Sequence, residues 1–400
     1  MGLRTDPVVI AGLAAVGAPV LAAALVAGLT IQDHDSASAS PSTAAAASGS
    51  ATPAPESSPP PPTTAAPNPV GFQPDSFTFA TADEGWVLGR TFPCTSANCR
   101  TLQHTTDGGQ TWKQLSLPAP LRDSTAANLV SLTFTDRHNG WITVDDQLYS
   151  THDGGAAWHP VDVGLRSFGK HWTLSFSSDA VHVTGMGSDN KAVVMMSSPL
   201  DSETWSTTST GAFTTGGGPV PSPVFTAAGE RSWLVIDNRG VTGSRLVGDT
   251  WAQWTPPCGH NGPASWHAIT ESRLVALCGR TGSYEDEPAT SHLMTSRDGG
   301  VTFTETGQVW PSIPRSSTLI AADTTHLVAA IDNQLLTSSD GGTTWTSTYT
   351  APDPEAKISQ GEFVSATTGF VVIGKGSHDD PSTLLTTQDS GRTWEPVVVP

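Results

Sequence analysis

Basic residues are scarce in this chain. Lysine and arginine number 19 against 37 aspartates and glutamates over 400 residues, which gives a formal net charge of −18. A surface of this charge repels the phosphate backbone of nucleic acids, and no block of basic residues offsets it. The composition therefore argues against a nucleic-acid partner.

Other signals are absent as well. No helical period of useful length follows residue 31, and the GxSxG, HExxH, P-loop and GxGxxG signatures of common active sites do not occur. The CxxC and HxxxH spacings of zinc sites are also missing. We therefore expect an all-β protein without cofactor or metal, and we assign no catalytic residue.

What the sequence does contain is one short motif, Asp-Gly-Gly-x-Thr-Trp, at nearly constant spacing. We call each copy of this motif a box. Clear copies lie at 105–112, 151–158, 296–303, 338–345 and 387–394, and worn copies lie at 201–205 and 249–254. The aspartates are 42 to 49 residues apart: Asp107, Asp153, Asp201, Asp249, Asp298, Asp340 and Asp389. Such a period in a β-rich chain predicts a propeller of seven blades.

The motif itself is typical of a hairpin turn. Glycine supplies the positive φ angles of the turn, and the aspartate hydrogen-bonds to the backbone of its own turn. We therefore interpret the seven aspartates as structural. A catalytic or metal-binding role is the alternative.

A second pattern precedes each box. A strand, a short turn and another strand occur about 20 to 35 residues before each box, as in 77–86 and 132–141. Each unit then contains strand A, a tight turn, strand B, a loop, strand C, the box turn and strand D. This order predicts four-stranded antiparallel blades that begin and end in phase, with no swapped closing strand. Pairing of residues 66 to 72 at the seam is the alternative.

These boxes resemble the Asp-box, or BNR repeat, of sialidases, sortilin-type receptors, some glycoside hydrolases and the photosystem II stability/assembly factor family. The resemblance covers roughly residues 72 to 400 and implies a propeller in which the box is a structural turn. The arginine triad, tyrosine nucleophile and Arg-Ile-Pro motif of the sialidases are not found here. The similar xyloglucan-type hydrolases use two facing propellers, whereas this chain predicts one.

The N-terminal part of the sequence indicates export. The apolar run from residue 7 to 31 is flanked by Arg4 and by Asp33 and Asp35, which fits the positive-inside rule. We expect a signal peptide or signal-anchor transmembrane helix in 1–35, a disordered Ser/Ala/Thr/Pro-rich spacer in 36–70 and the propeller in 71–400. The protein is then a single-pass membrane protein with its propeller outside the cytoplasm, or it is secreted if the signal is cleaved.

The four cysteines fit an oxidising compartment. We predict disulfides Cys94–Cys99, within one loop of the first blade, and Cys258–Cys278, around strands A and B of the fifth. Four free thiols in a reducing cytosol are the alternative.

Long irregular loops predict where binding occurs. The box turns and the A–B turns share one face of the propeller, and the B–C and D–A loops share the other, which we call the loop-rich face. Tryptophans outside the repeat positions and nearby cations point to this face. The candidate binding residues are Lys170, His171, Trp172, Trp266, His267, Trp310 and Arg315. For Trp172 and Trp266, the alternative to binding is a core role in the channel.

Carboxylates were also assigned to the loop-rich face: Asp145, Asp146, Glu285, Asp286, Glu287, Glu362, Asp379 and Asp380. They fit either a calcium or glycosidase site or, as we favour, solvated loops of an acidic protein. The overall hypothesis is a membrane-tethered, non-enzymatic scaffold propeller that binds a protein partner. The alternative is a carbohydrate-active protein, either a glycan-binding sensor or a glycoside hydrolase, with a cell-surface glycan as its partner.

Overall fold

The computed structural model describes residues 71–91, 99–118, 121, 130–144, 147–163, 173–186, 193–208, 222–237, 241–247, 250–259, 265–279, 291–310, 317–375 and 382–400. Within these ranges no helix is both long enough and apolar enough to cross a bilayer. The expected N-terminal helix and spacer lie outside the described residues.

The described chain forms twenty-eight strands in seven sheets of four. Blade 1 contains β1 (Phe72–Phe79), β2 (Gly85–Thr91), β3 (Arg100–Thr105) and β4 (Lys113–Leu115). Blade 2 contains β5 (Val130–Phe134), β6 (Gly140–Val144), β7 (Gln147–Thr151) and β8 (His159–Val161). Blade 3 contains β9 (Thr173–Phe176), β10 (Ala180–Met186), β11 (Val193–Pro199) and β12 (Ser206–Thr208). Blade 4 contains β13 (Ser222–Ala228), β14 (Arg231–Asp237), β15 (Val241–Val247) and β16 (Thr250–Trp254).

The remaining blades follow the same order. Blade 5 contains β17 (Ser265–Ala268), β18 (Leu274–Gly279), β19 (Ser291–Ser296) and β20 (Thr304–Trp310). Blade 6 contains β21 (Ser317–Ala321), β22 (Leu327–Ile331), β23 (Gln334–Ser338) and β24 (Thr346–Thr350). Blade 7 contains β25 (Lys357–Phe363), β26 (Gly369–Gly374), β27 (Ser382–Thr387) and β28 (Glu395–Val397). Every sheet is antiparallel and uses four consecutive strands, which confirms the predicted all-β propeller of seven four-stranded blades.

The apolar core is divided among the junctions between blades. Each pair of successive blades encloses one cluster of buried side chains. At the first junction Trp86 stacks on Phe134 of the next blade, with ring centroids 3.8 Å apart. Successive side chains along a strand point to opposite sides of the sheet, and each side of a blade packs against one neighbouring blade. An aromatic residue near the start of strand B, such as Trp86, therefore fills the space between two blades.

Side chains close the ring between blades 7 and 1. Gln360 Nε2 donates to the carbonyl of Phe77 at 2.6 Å, and the indole N–H of Trp112 donates to the carbonyl of Val398 at 3.0 Å. Phe79 stacks on Phe370 at a centroid distance of 3.6 Å. Within the described residues, the seam is therefore closed by side chains and has no shared strand.

Candidate functional site

Each intact box is a self-contained hydrogen-bond network, shown here by blade 6. The Ser338 hydroxyl accepts from the amide of Gly342 at 2.8 Å and donates to Asp340 Oδ1 at 2.8 Å. The same carboxylate accepts from the amide of Thr344 at 2.9 Å and from its hydroxyl at 2.7 Å. Gly341 and Gly342 have φ angles of 73° and 93°, which is why glycine recurs there.

These hydrogen bonds stabilise the ionised box aspartates. Donation from the side chain and amide of the threonine four residues on lowers the pKa of Asp107 and of Asp298 to about 2. Amide and hydroxyl donation from Thr344 likewise lowers the pKa of Asp340 to about 2. A carboxylate held this way by its own turn is poorly suited to act as a general base or to coordinate a metal. Asp201 is exposed in its worn turn, and Asp249 lies outside the described residues.

The described part of the loop-rich face holds a shallow cleft between blades 6 and 7. Its volume is about 430 Å³, and its lining joins the β22–β23 turn to the loop that enters β25. The lining residues are Asp332, Asn333, Pro354, Glu355, Ala356 and Lys357. Two carboxylates, a carboxamide and an ammonium group offer hydrogen bonds and charge, and the lining contains no thiol, hydroxyl or imidazole that would act as a nucleophile.

The loop that forms one wall of this cleft is rigidly built. The amide of Ala351 donates to the carbonyl of Asn333 at 2.8 Å, and Asn333 Nδ2 donates to the carbonyl of Ala351 at 3.1 Å. Asp353 accepts from the amide of Glu355 at 2.9 Å and pairs with Lys375 at 2.8 Å, and this lysine lowers the pKa of Asp353. Exposed Lys357 has no ion-pair partner among the described residues, so its charge is available to a ligand.

Trp266 and His267, two of the predicted binding residues, are buried. Trp266 is 3 % exposed and packs in the core between blades 4 and 5, with its ring 5.7 Å from that of Trp254. His267 is 2 % exposed and its Nε2 contacts the carbonyl of Leu319 in blade 6. Successive residues of β17 therefore face opposite neighbouring blades, and the burial of Trp266 favours its core alternative.

The other predicted binding residues lie outside the described residues: Lys170, His171, Trp172, Arg315 and the side chain of Trp310. Most of the predicted binding residues of the loop-rich face are therefore not described. The site that is described on this face is the cleft between blades 6 and 7.

Glu362 differs from the sequence assignment. It was placed with the carboxylates of the loop-rich face, but it lies near the box-face end of β25, buried between blades 7 and 1. Its Oε1 accepts from the amide of Phe79 at 2.8 Å, and burial raises the pKa of Glu362 to about 8. Strand alternation turns this position towards the neighbouring blade, which a reading of local polarity does not detect. Asp145, Asp146, Glu285, Asp286, Glu287, Asp379 and Asp380 lie outside the described residues.

A charged cluster in blade 1 was not predicted. Asp75 lies where a bulge interrupts the β1–β2 pairing, and it accepts from Arg90 at 2.7 Å and pairs with Arg100 at 3.4 Å. Arg90 and Arg100 face each other across β2 and β3 at their loop-rich ends. The only signal in the sequence is Pro74, which cannot donate to the ladder.

Cys258 and Cys278 form a disulfide with their Cα atoms 5.3 Å apart. It ties the loop after β16 to the end of β18, on the loop-rich side of blade 5. The predicted partner of Cys99, Cys94, lies outside the described residues.

The architecture and the box geometry define an Asp-box seven-bladed propeller. Among the described residues no group of three or more His, Cys, Asp or Glu side chains is arranged to hold a metal ion. No family model matches the chain, and no curated protein matches it in sequence.

Solved propellers of similar architecture come from different functional classes. YCF48 bound to a D1 peptide aligns with a TM-score of 0.52 at 16 % identity, over 81 % of this chain and 95 % of that chain. YCF48 from Cyanidioschyzon merolae aligns with a TM-score of 0.56 at 14 % identity, over 81 % and 97 %. A PL25 ulvan lyase bound to its saccharide aligns with a TM-score of 0.52 at 11 % identity, over 83 % and 94 %. The resemblance to assembly-factor-type propellers is confirmed at the level of the fold, which a polysaccharide lyase shares.

Proposed function

We propose that this propeller is a non-enzymatic scaffold that binds a protein partner through its loop-rich face, tethered outside the cytoplasm by its N-terminal apolar run. The observation that carries the proposal is a difference between the two faces in which charged groups are already engaged. Box carboxylates on one face are used by their own turns, whereas the blade 6–7 cleft on the other face carries the available charge of Lys357.

The chemistry of the cleft supports a peptide ligand. A shallow, open lining with carboxylates, a carboxamide and an ammonium group complements the alternating donors, acceptors and charges of a polypeptide segment. The loop wall is fixed by the two hydrogen bonds between Asn333 and Ala351, so little ordering is needed on binding. YCF48, which shares the fold, is described in complex with a peptide of D1.

Crosslinking and co-purification from the native membrane test this proposal. We expect one stoichiometric protein partner, whose capture falls at least tenfold in Lys357→Glu. Arg392→Glu is the matched control, because it makes the same charge change at an exposed position in the blade 7 box. Equal losses in both variants, or recovery of the protein alone, would overturn the proposal.

A carbohydrate-active function is the second candidate. Asp332 and Glu355 both line the cleft, and paired carboxylates are the residues that glycosidases use for acid–base chemistry. Under this alternative a glycan panel shows binding or hydrolysis by the 71–400 fragment. Hydrolysis that is lost in both Asp332→Asn and Glu355→Gln would establish it, and absence of both binding and hydrolysis would reject it.

A further inference from the structure

Tryptophans near the start of strand B join successive blades on the box face. The indole N–H of Trp86 donates to the carbonyl of Gly154 in the box of blade 2 at 3.1 Å. The indole N–H of Trp233 donates to the carbonyl of Gly299 in the box of blade 5 at 3.2 Å. We call this contact the indole latch. It requires a box glycine in the following blade.

Trp141 occupies the same position in blade 2 but has no latch. Its ring is fully buried, and its N–H has no acceptor among the described residues. The following box is the worn turn 201–205 of blade 3, which has lost both glycines and one residue of length. A buried donor without an acceptor destabilises the folded state, so the missing glycine carbonyl weakens this junction.

The turn of blade 3 is also held less tightly by its own blade. In the intact boxes the first turn amide donates to the A–B turn at 2.8 to 3.0 Å, as Gly108 does to Asp83 and Gly154 to His138. In blade 3 the described contact with the A–B turn comes instead from the residue before the aspartate, with the amide of Leu200 donating to the carbonyl of Asp179 at 3.2 Å, and the Ser198 hydroxyl donates to the carbonyl of Ser202. The paired aspartate–threonine bonds of a box are missing from the described contacts there.

The opposite side of blade 3 has few buried apolar side chains among the described residues. The cluster between blades 3 and 4 has four such members, Met195, Phe225, Ala227 and Leu234. The cluster between blades 6 and 7 has fourteen. Within the described part of the chain, one junction of blade 3 therefore lacks a hydrogen bond and the other has the smaller apolar cluster.

Aromatic packing works against opening: the ring of Trp141 lies 5.1 Å from that of Phe176, and the ring of His182 lies 4.8 Å from that of Phe225. His152 Nε2 also contacts Glu203 Oε1 at 3.1 Å across the blade 2–3 junction, but these side chains are 33 % and 39 % exposed. A polar pair at such exposure adds little to stability.

We propose that blade 3 opens locally as a unit before the other six blades open. The ring then has a preferred site of local unfolding at this blade. Opening breaks few hydrogen bonds among the described residues. It exposes the sides of blades 2 and 4 that pack against blade 3. The worn box of blade 3 is the cause, because an intact box would supply the acceptor that Trp141 lacks.

Hydrogen exchange of the full-length protein tests the proposal directly. We expect the ladder amides of β10 and β11 to exchange at least tenfold faster than those of β14 and β15 and of β22 and β23. A chain whose turn 201–205 is replaced by the six-residue box sequence of blade 6 should lose most of this difference. Equal protection in all three blades of the unaltered protein would overturn the proposal.

A matched set of variants tests the cause. Trp86→Phe and Trp233→Phe each break a latch and leave a glycine carbonyl without its donor, whereas Trp141→Phe removes a donor that has no acceptor. Trp86→Phe and Trp233→Phe should each lower the folding equilibrium constant about tenfold more than Trp141→Phe. A loss in Trp141→Phe as large as in the other two would overturn the assignment of an orphaned donor.

Discussion

The indole N–H of Trp254 in blade 4 donates to the carbonyl of Gly300 in the box of blade 5 at 2.7 Å. In the boxes of blades 1, 6 and 7 the tryptophan of the same turn makes this bond, as Trp345 does to Gly342. Blade 5 has Phe303 at that position and cannot donate. The tryptophan of a worn box thus satisfies the neighbouring intact one, and hydrogen bonding is shared between blades.

The box aspartates should prove structural. Asp340→Ala removes an acceptor for the amides of Thr343 and Thr344 and for two hydroxyls, so we expect about 1–3 kcal/mol of lost stability. Partner binding by the folded variant should be unchanged. Thermal and denaturant unfolding measure the loss, and Asp201→Ala in the worn turn should fall within about 0.5 kcal/mol of the unaltered protein. Abolished binding in a fully folded Asp340→Ala protein would refute the structural role.

Acid should destabilise the propeller through His182. This ring is partly buried between the hydroxyls of Ser177 and Ser197, and desolvation lowers its pKa to about 4. Below pH 6.5 the unfolded chain gains a proton that the folded chain excludes until about pH 4. The contribution of His182 to the free energy of unfolding should therefore fall by about 3 kcal/mol across that window, while Glu362 contributes in the opposite direction. In urea titrations from pH 7 to 4, the difference in stability between the unaltered protein and His182→Gln should change by that amount. An identical slope in the variant would assign the effect to other groups.

Glu362 should act in the opposite direction. Its pKa is raised to about 8 in the folded state, so between pH 4.5 and 8 the unfolded chain loses a proton that the folded chain retains. Stability that is fully present below pH 4.5 should decrease by about 5 kcal/mol as the pH rises through 8. Glu362→Gln keeps an acceptor for the Phe79 amide and should remove this loss.

Gln360→Ala is the control for that experiment. Gln360 also bonds to blade 1 across the seam, but it does not titrate, so its removal should lower stability equally at every pH. A Glu362→Gln profile that parallels that of the unaltered protein would show that the carboxyl is already ionised in the folded state.

The Cys258–Cys278 disulfide should contribute measurably to stability. It closes a segment with a sequence separation of 20, and its removal in a Cys258→Ala, Cys278→Ala double variant should cost roughly 2–4 kcal/mol. Mass spectrometry of non-reduced peptides should show this link and the Cys94–Cys99 link. Free thiols at all four positions in protein isolated from its host would contradict export.

The sequence was sufficient for the architecture because the signals that define it are local and repeated. Box spacing gave the number of blades, and the alternation of polar and apolar residues gave the strands. Contacts that depend on facing directions were not predictable. The sequence leaves both a binding role and a core role open for Trp266, which points between blades, and it groups Glu362 with loop carboxylates although this residue lies in the seam. The Asp75 cluster depends on a bulge that joins residues 15 and 25 positions apart, which no periodic pattern encodes.

Because every blade consists of four consecutive strands, no strand is shared across the blade 7–1 seam, and this junction differs from the other six only in having no chain connection between its two blades. Blades 1 and 7 meet through side chains of the same kinds that join blades 5 and 6, where Ser265 accepts from the amide of Leu319 at 3.0 Å. The order of the blades along the chain is therefore separable from their order in space. A circular permutant that begins at blade 2 and ends with blade 1 would retain every sheet intact.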